Sequence, residues 1–371
     1  MLNSEQRGMS FNMRLANAEK VRQEEVFRLG VLRDGVQLTT TDLRFPIYGQ
    51  VIPRIEIEII GSDFHKKVTV RINQESGFMF NGHTLEAWIN GKLEQIPCKQ
   101  FIDPERAPTG MYNFGTIREN GVRSFVFDYH TFCAYSCDYC FKENEWEVLA
   151  IQGGGSTNYR ANFDSCLQYI EKHPEDFRNK YDIVWLCTGS ITNETLELKR
   201  HCDIASALRQ VGYKEGIYVS QVVPPSIRQD RAKRTDYLHS LKQAGVSRFN
   251  SGVEIVNTEY RQRFIHGFKG SYTFEDYVNI FEDAVSVFGH FGVGSCLLAG
   301  IEPSRETLYG LETIAELGVV PSPTVLTPFV VKQKSIPFMY DLDELIDVHL
   351  DFYKIIHKYD LPVFSGVFSL A

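Results

Sequence analysis

TFEDYVNIFEDAVSVFGHFGVGSCLLAG, residues 273–300, changes its hydrophobic period part-way along. Phe274, Val278, Phe281 and Val285 recur at helical spacing behind Thr273, whose hydroxyl suits an N-cap. The "HFG" that follows puts Gly292 where a left-handed residue ends a helix. "GSCLLAG" (294–300) is then a short apolar run bounded by glycines, the pattern of a buried strand. Helix, glycine, strand is half of a βα repeat.

The same grammar extends in both directions. Strand-like runs stand at "SFVFDYH" (124–130), "IVWLCTG" (183–189), "IYVSQVV" (217–223), "RFNSGVE" (248–254), "GSCLLAG" and "PTVLTPF" (323–329). The intervening helical stretches end in Gly212, Gly245 and Gly318. Strands that alternate with helices pair in parallel, each crossover covering one face. The expected fold class is therefore α/β, with a partial (β/α)6 TIM-like barrel over 119–340 and a C-terminal helix and strand over 341–371. Upstream the texture differs. Residues 10–30 look helical, within an N-terminal helical segment 1–45. "PRIEIEII", "KKVTVRIN", "GFMFNG" and "EAWINGKLEQIP" alternate apolar with polar residues, with Asn-Gly at 81–82 and 90–91, so 46–118 reads as a small antiparallel β-rich domain.

With 371 residues and 43% hydrophobic content the chain can build a large core plus a smaller one. Its net charge of −8 opposes a broad phosphate-binding surface, which excludes nucleic acid as the expected partner. No run approaches the ~20 apolar residues of a membrane span, so the expected location is cytoplasmic, with no membrane contact. In that reducing compartment the eight cysteines read as thiols, ligands or catalysts. Three of them, Cys133, Cys137 and Cys140, crowd "HTFCAYSCDYCF" (130–141) directly after the first strand, where sites in this architecture are built. Three thiolates satisfy three irons of a [4Fe–4S] cluster and leave the fourth open to another ligand. Zinc with His130 as fourth ligand, or inert buried thiols, are the alternatives. "QGGGSTNYR" lacks the Gly-Lys-Ser/Thr of a P-loop, and its Gly153 to Gly155 suit a lid.

The C-x3-C-x2-C spacing, the aromatic Tyr139 before the last cysteine and the six βα units together resemble the radical S-adenosylmethionine (radical SAM) superfamily. The progression "GVEIVN … HG … LLAGIEP … VLTPF" is similar to its biotin synthase, methylornithine synthase and hydrogenase-maturation branch. The resemblance implies a [4Fe–4S] cluster on Cys133, Cys137 and Cys140, S-adenosyl-L-methionine (SAM) as cofactor, and an electron donor such as flavodoxin or ferredoxin. It implies SAM contacts at Tyr139, at Thr188, Gly189 and Ser190, at Ser251 and Glu254, at Leu298 and Gly300, and at Leu326 and Phe329. The pattern departs from the family where the acid after the second strand is missing, where Cys296 replaces a glycine, and where Glu302 comes one place early. The implied activity is reductive SAM cleavage and hydrogen abstraction from a small polar substrate, leading to rearrangement, fragmentation or oxidation. Gln221, Arg228, His266 and Lys332 are the expected substrate contacts. A peptide-modifying enzyme, sulfur insertion from a second cluster, and a non-catalytic iron–sulfur or zinc protein are the competing readings.

Overall fold

The computed structural model describes residues 13, 15–16, 18–40, 43, 54–61, 65–101, 114–119, 122–130, 133–135, 137–140, 159–326 and 336–362. The glycine run at 153–155, Phe329, Lys332 and the expected C-terminal strand lie outside them.

The N-terminal part packs one helix, α1 (Gln23–Asp34), on a sheet built from β1 (Gln37–Leu38), β2 (Arg54–Ile60), β3 (His65–Arg71), β4 (Phe78–Phe80), β5 (Thr84–Ile89) and β6 (Lys92–Gln100). The strand order is β1-β4-β5-β6-β2-β3, antiparallel except for the β1–β4 pair. Asn90 (φ 51°) and Gly91 (φ 81°) close the β5–β6 hairpin, both in the left-handed region that a two-residue turn demands. Helix α1 starts later than the helical pattern over 10–30 suggests. Met13 spends its backbone on the sheet instead, taking the Trp88 carbonyl at 3.0 Å and accepting from Asn90 N at 2.8 Å. Gly30 lets α1 sit on the Phe78 ring, which occupies the place that a Cβ would take.

The second sheet contains the six expected runs. Its order is β13-β12-β11-β10-β9-β8-β7, with β7 (Phe114–Glu119), β8 (Val122–Phe127), β9 (Ile183–Cys187), β10 (Gly216–Ser220), β11 (Arg248–Asn250), β12 (Val293–Ala299) and β13 (Val320–Val325). All pairings from β8 to β13 are parallel, giving a curled, open half-barrel. Strand β7, expected in the small domain, instead forms an antiparallel hairpin on β8. Pro321 and Pro323 sit in β13, tolerable because among the described residues that strand is an edge and pairs with β12 alone.

Among the described residues the crossovers carry α2 (Tyr159–Lys172), α3 (Pro174–Asn179), α4 (Glu194–Gln210), α5 (Arg231–Gln243), α6 (Thr258–Phe264), α7 (Gly267–Gly270), α8 (Phe274–Phe288) and α9 (Ser304–Glu316), before α10 (Leu342–Lys358). Val184, Leu186, Ile217, Val219, Phe249, Val293 and Leu297 point out of the half-barrel into one core with Ile204, Leu208, Leu241, Ile280 and Ile314 of the helices. Each such side chain contributes about 1.5–3 kcal/mol of burial, so the helix layer fixes which residues face inward. Thr273 caps α8 in a full capping box. That helix ends earlier than expected: Gly289, at φ 84°, takes the left-handed position assigned to Gly292. Helix α10 returns to the N-terminal part, where Leu345 and Ile346 share a buried cluster with Val26 and Phe27 of α1 and with Ala299 and Val325 of the half-barrel.

Candidate functional site

The cysteine loop follows β8 at the C-terminal edge of the parallel strands. On one side Cys137 forms an isolated antiparallel bridge with Ile265, in which Asp138 N donates to Phe264 O at 2.9 Å. Among the described residues none of the three cysteines is joined in a disulfide. Cys137 is buried in an apolar cluster with Ile255, Phe264, Ile265, Leu298 and Leu326, against which Tyr139 and Cys140 pack. Burial pushes the Cys137 thiol up to about 11. Three soft sulfur donors within eight positions have the chemistry of an iron–sulfur ligand set. Their thiols are not gathered, and among the described residues no three His, Cys, Asp or Glu side chains stand together as a metal-holding group.

His130 at the head of the loop is fully buried and ties it to the turn after β9. Its backbone N–H donates to Thr188 Oγ1 at 2.7 Å and its Nδ1 contacts Gly189 O at 2.6 Å, while Arg200 donates to Nε2 at 2.9 Å. The carbonyl must accept and the guanidinium must donate, so the proton lies on Nδ1. Both ring nitrogens are engaged, which removes His130 as a fourth zinc ligand. Ala134 N donates to Ser190 O at 2.7 Å, completing a splint between the cysteine loop and residues 188–190.

Across the mouth, Tyr139 donates its hydroxyl to Glu254 Oε2, and Lys269 Nζ lies 2.5 Å from the same oxygen. Burial opposes the Lys269 charge, yet the Glu254 carboxylate holds its proton well above the usual lysine range. Glu254 adopts φ 65°, a left-handed conformation costing about 1–3 kcal/mol for a residue with a side chain. Two hydrogen bonds to β12 hold it there, Glu254 N to Cys296 O at 2.8 Å and Leu298 N to Glu254 O at 2.7 Å. The result is a triad beside the cysteine loop, with Lys269 buried and Tyr139 and Glu254 partly buried. Lys269 escaped the sequence reading. Its one signal is a lysine flanked by glycine in "HGFKG", which folds as the single turn α7.

Cys137, Tyr139, Cys140, Leu298 and Leu326 therefore meet in one cluster, and Glu254 joins them through Tyr139. Gly300 (φ 103°) borders it, with the Phe338 ring 2.5 Å from a Cβ position and Met339 N bonded to its carbonyl at 2.8 Å. Ser251 is buried on the turn after β11, its hydroxyl unpartnered among the described residues. Glu302 braces the backbone: its carboxylate accepts from Val256 N at 3.0 Å and Asn257 N at 2.7 Å, fixing the chain just beyond Glu254. The expected substrate contacts do not converge. Gln221 points into the helix layer and donates to Tyr237 Oη at 2.7 Å. His266 contacts Asp138 Oδ1 at 2.8 Å with its ring half-exposed. Arg228 pairs with Asp276 at 3.0 Å and lines an outer cleft of about 760 Å³ with Phe268 and Tyr272.

No family model and no curated protein matches the sequence. Some solved structures are similar over part of the chain. The FeFe-hydrogenase maturase HydG from Carboxydothermus hydrogenoformans is similar at 16% identity and a TM-score of 0.42, over 63% of this chain and 51% of that one. Coproporphyrinogen III oxidase (HemN) from Escherichia coli, described as a radical SAM enzyme, matches at 15% identity and 0.40, over 62% and 51%. Methylornithine synthase (PylB) matches at 12% identity and 0.39, over 62% of each chain. The chain thus spans about half the length of the first two. Likeness at this level does not extend to reaction or substrate.

Proposed function

We propose that this protein is a radical SAM enzyme, abstracting a hydrogen atom from a small polar substrate. The observation that carries the reading is the C-x3-C-x2-C loop at the C-terminal edge of a half-barrel whose Tyr139 reaches across to Glu254. Cys133, Cys137 and Cys140 would hold a [4Fe–4S] cluster, which supplies the electron for reductive cleavage of SAM and so for hydrogen abstraction. The chain's own part is binding and exclusion. The splint through His130 orients Thr188, Gly189 and Ser190 toward the loop. Leu298, Leu326 and the Tyr139 ring supply an apolar wall that keeps water from the reacting atoms. Lys269 holds the Glu254 carboxylate in place as an acceptor for ribose hydroxyls. An electron donor such as flavodoxin or ferredoxin completes the system.

Anaerobic reconstitution tests the reading. About four irons and four sulfides per chain are expected, lost in the Cys133→Ala/Cys137→Ala/Cys140→Ala variant, together with release of 5′-deoxyadenosine from SAM on reduction. One zinc per chain, a full cluster in the triple variant, or methylthioadenosine in place of 5′-deoxyadenosine would refute it.

A further inference from the structure

In a closed barrel the interior is filled by layers of bulky side chains. The inner face here carries one such layer and then changes character. Trp185, Tyr218 and Arg248 stand in register on β9, β10 and β11. The Trp185 and Tyr218 rings meet edge-on at 5.0 Å, and the Arg248 guanidinium lies 5.5 Å from the Tyr218 ring. Two residues nearer the mouth, the registered row is Cys187, Ser220, Asn250 and Gly294. These are small or uncharged, and Gly294 cannot grow: a Cβ would collide with Asn250 Oδ1 and stand 3.0 Å from Arg248. Cys296, the next inward residue of β12, is also small, and burial pushes its thiol up to about 12, so it is uncharged as well.

One member of this row has an unpaired polar atom among the described residues. The Ser220 side-chain oxygen is buried, the residue 9% exposed, with no hydrogen-bond partner among the described residues. Thr324, inward on β13 in register with Leu298, has a second such hydroxyl. A buried hydroxyl left unpaired is destabilising, so its retention on a row of small residues points to a partner supplied from outside the chain. The row itself is uncharged and the Arg248 guanidinium one layer below lies against the Tyr218 ring, so an ionic group on the row would lose hydration with little compensating charge.

We propose that the row Cys187, Ser220, Asn250 and Gly294 is the floor of the substrate chamber and takes an uncharged group bearing a hydroxyl or carboxamide, hydrogen-bonded to Ser220. That the ligand is a substrate rests on the reaction proposed above; the binding does not. The full-length, cluster-reconstituted protein is titrated with propylene glycol, glycolamide, lactate and isopropanolamine by saturation-transfer NMR. Propylene glycol and glycolamide bind the wild type, and Ser220→Ala, which removes one oxygen and leaves the packing intact, weakens them about two- to tenfold. Ser220→Leu abolishes the binding. Unchanged affinity in Ser220→Ala, preference for lactate or isopropanolamine, or no probe bound by the wild type overturns the proposal. SAM cleavage is scored on the same samples. Cleavage with binding indifferent to Ser220 sinks the chamber alone; Ser220-dependent binding without cleavage sinks the reaction alone.

Discussion

Lys269→Met replaces the buried cation with a side chain of similar length and leaves Glu254 with Tyr139 as its remaining donor. Lys269 is 7% exposed at its side chain and Glu254 16%, so water offers the stranded carboxylate little relief. Breaking one side of a buried ion pair costs about 3–5 kcal/mol. The retained Tyr139 hydrogen bond to a charged acceptor offsets part of that, about 1.5–3 kcal/mol. The net expectation, taken between the middles of those two ranges, is a loss of about 2 kcal/mol in urea unfolding. Adding Glu254→Gln removes the orphaned charge, so the double variant should recover at least half of the loss. A single-variant loss below about 1 kcal/mol, or additive losses in the double-variant cycle, would show that the pair is solvated and the triad is not a unit.

Three further outcomes follow from the same geometry. Glu254→Ala should weaken SAM binding by about ten- to a hundredfold with the cluster intact, the loss expected of a charge-assisted hydrogen bond; equal SAM affinity in a folded variant removes its ribose role. Burial pushes the Glu197 carboxyl up to about 8 from its usual 4.5. The folded group keeps a proton that the unfolded chain has released, so its contribution falls as pH rises from about 4.5 to about 8, by at most about 1.4 kcal/mol per pH step. Glu197→Gln should therefore gain about 2–4 kcal/mol over wild type at pH 8 relative to pH 5, and parallel curves would count against a buried neutral acid. His130→Asn should cost about 1–3 kcal/mol and weaken SAM binding, because two buried side-chain hydrogen bonds, to the turn at Gly189 and to Arg200, are lost; an unchanged SAM affinity would break the link between His130 and the turn.

The six βα runs were legible because helical and strand periods alternate around glycine stops, and that pattern follows directly from which face each element buries. The antiparallel β7 was not, since a hairpin next to a parallel sheet has the same alternation as one in a separate domain. Thr273 announced its helix through a capping box, whereas the end of that helix was misplaced because Gly289 and Gly292 compete three residues apart. At the site, the cysteine spacing is local and readable. Lys269, Arg200 and the row through Ser220 are not, because their meaning comes from strand register and cross-barrel packing, which join residues far apart in sequence. Gln221 shows the complementary difficulty: it lies one residue past β10, a single step from the inward Ser220, and its amide donates to Tyr237 of the helix layer.

The meeting of α1 with α10 also sets a timetable for synthesis. Phe27 of α1 and Leu345 of α10 belong to one buried cluster, although some three hundred residues lie between them. A chain emerging from the ribosome would finish the first sheet's strands long before α10 exists to cover that cluster. Until then Val26, Phe27 and their neighbours would depend on temporary shelter, so slow elongation or chaperone capture during this interval should decide how much of the protein reaches its folded state.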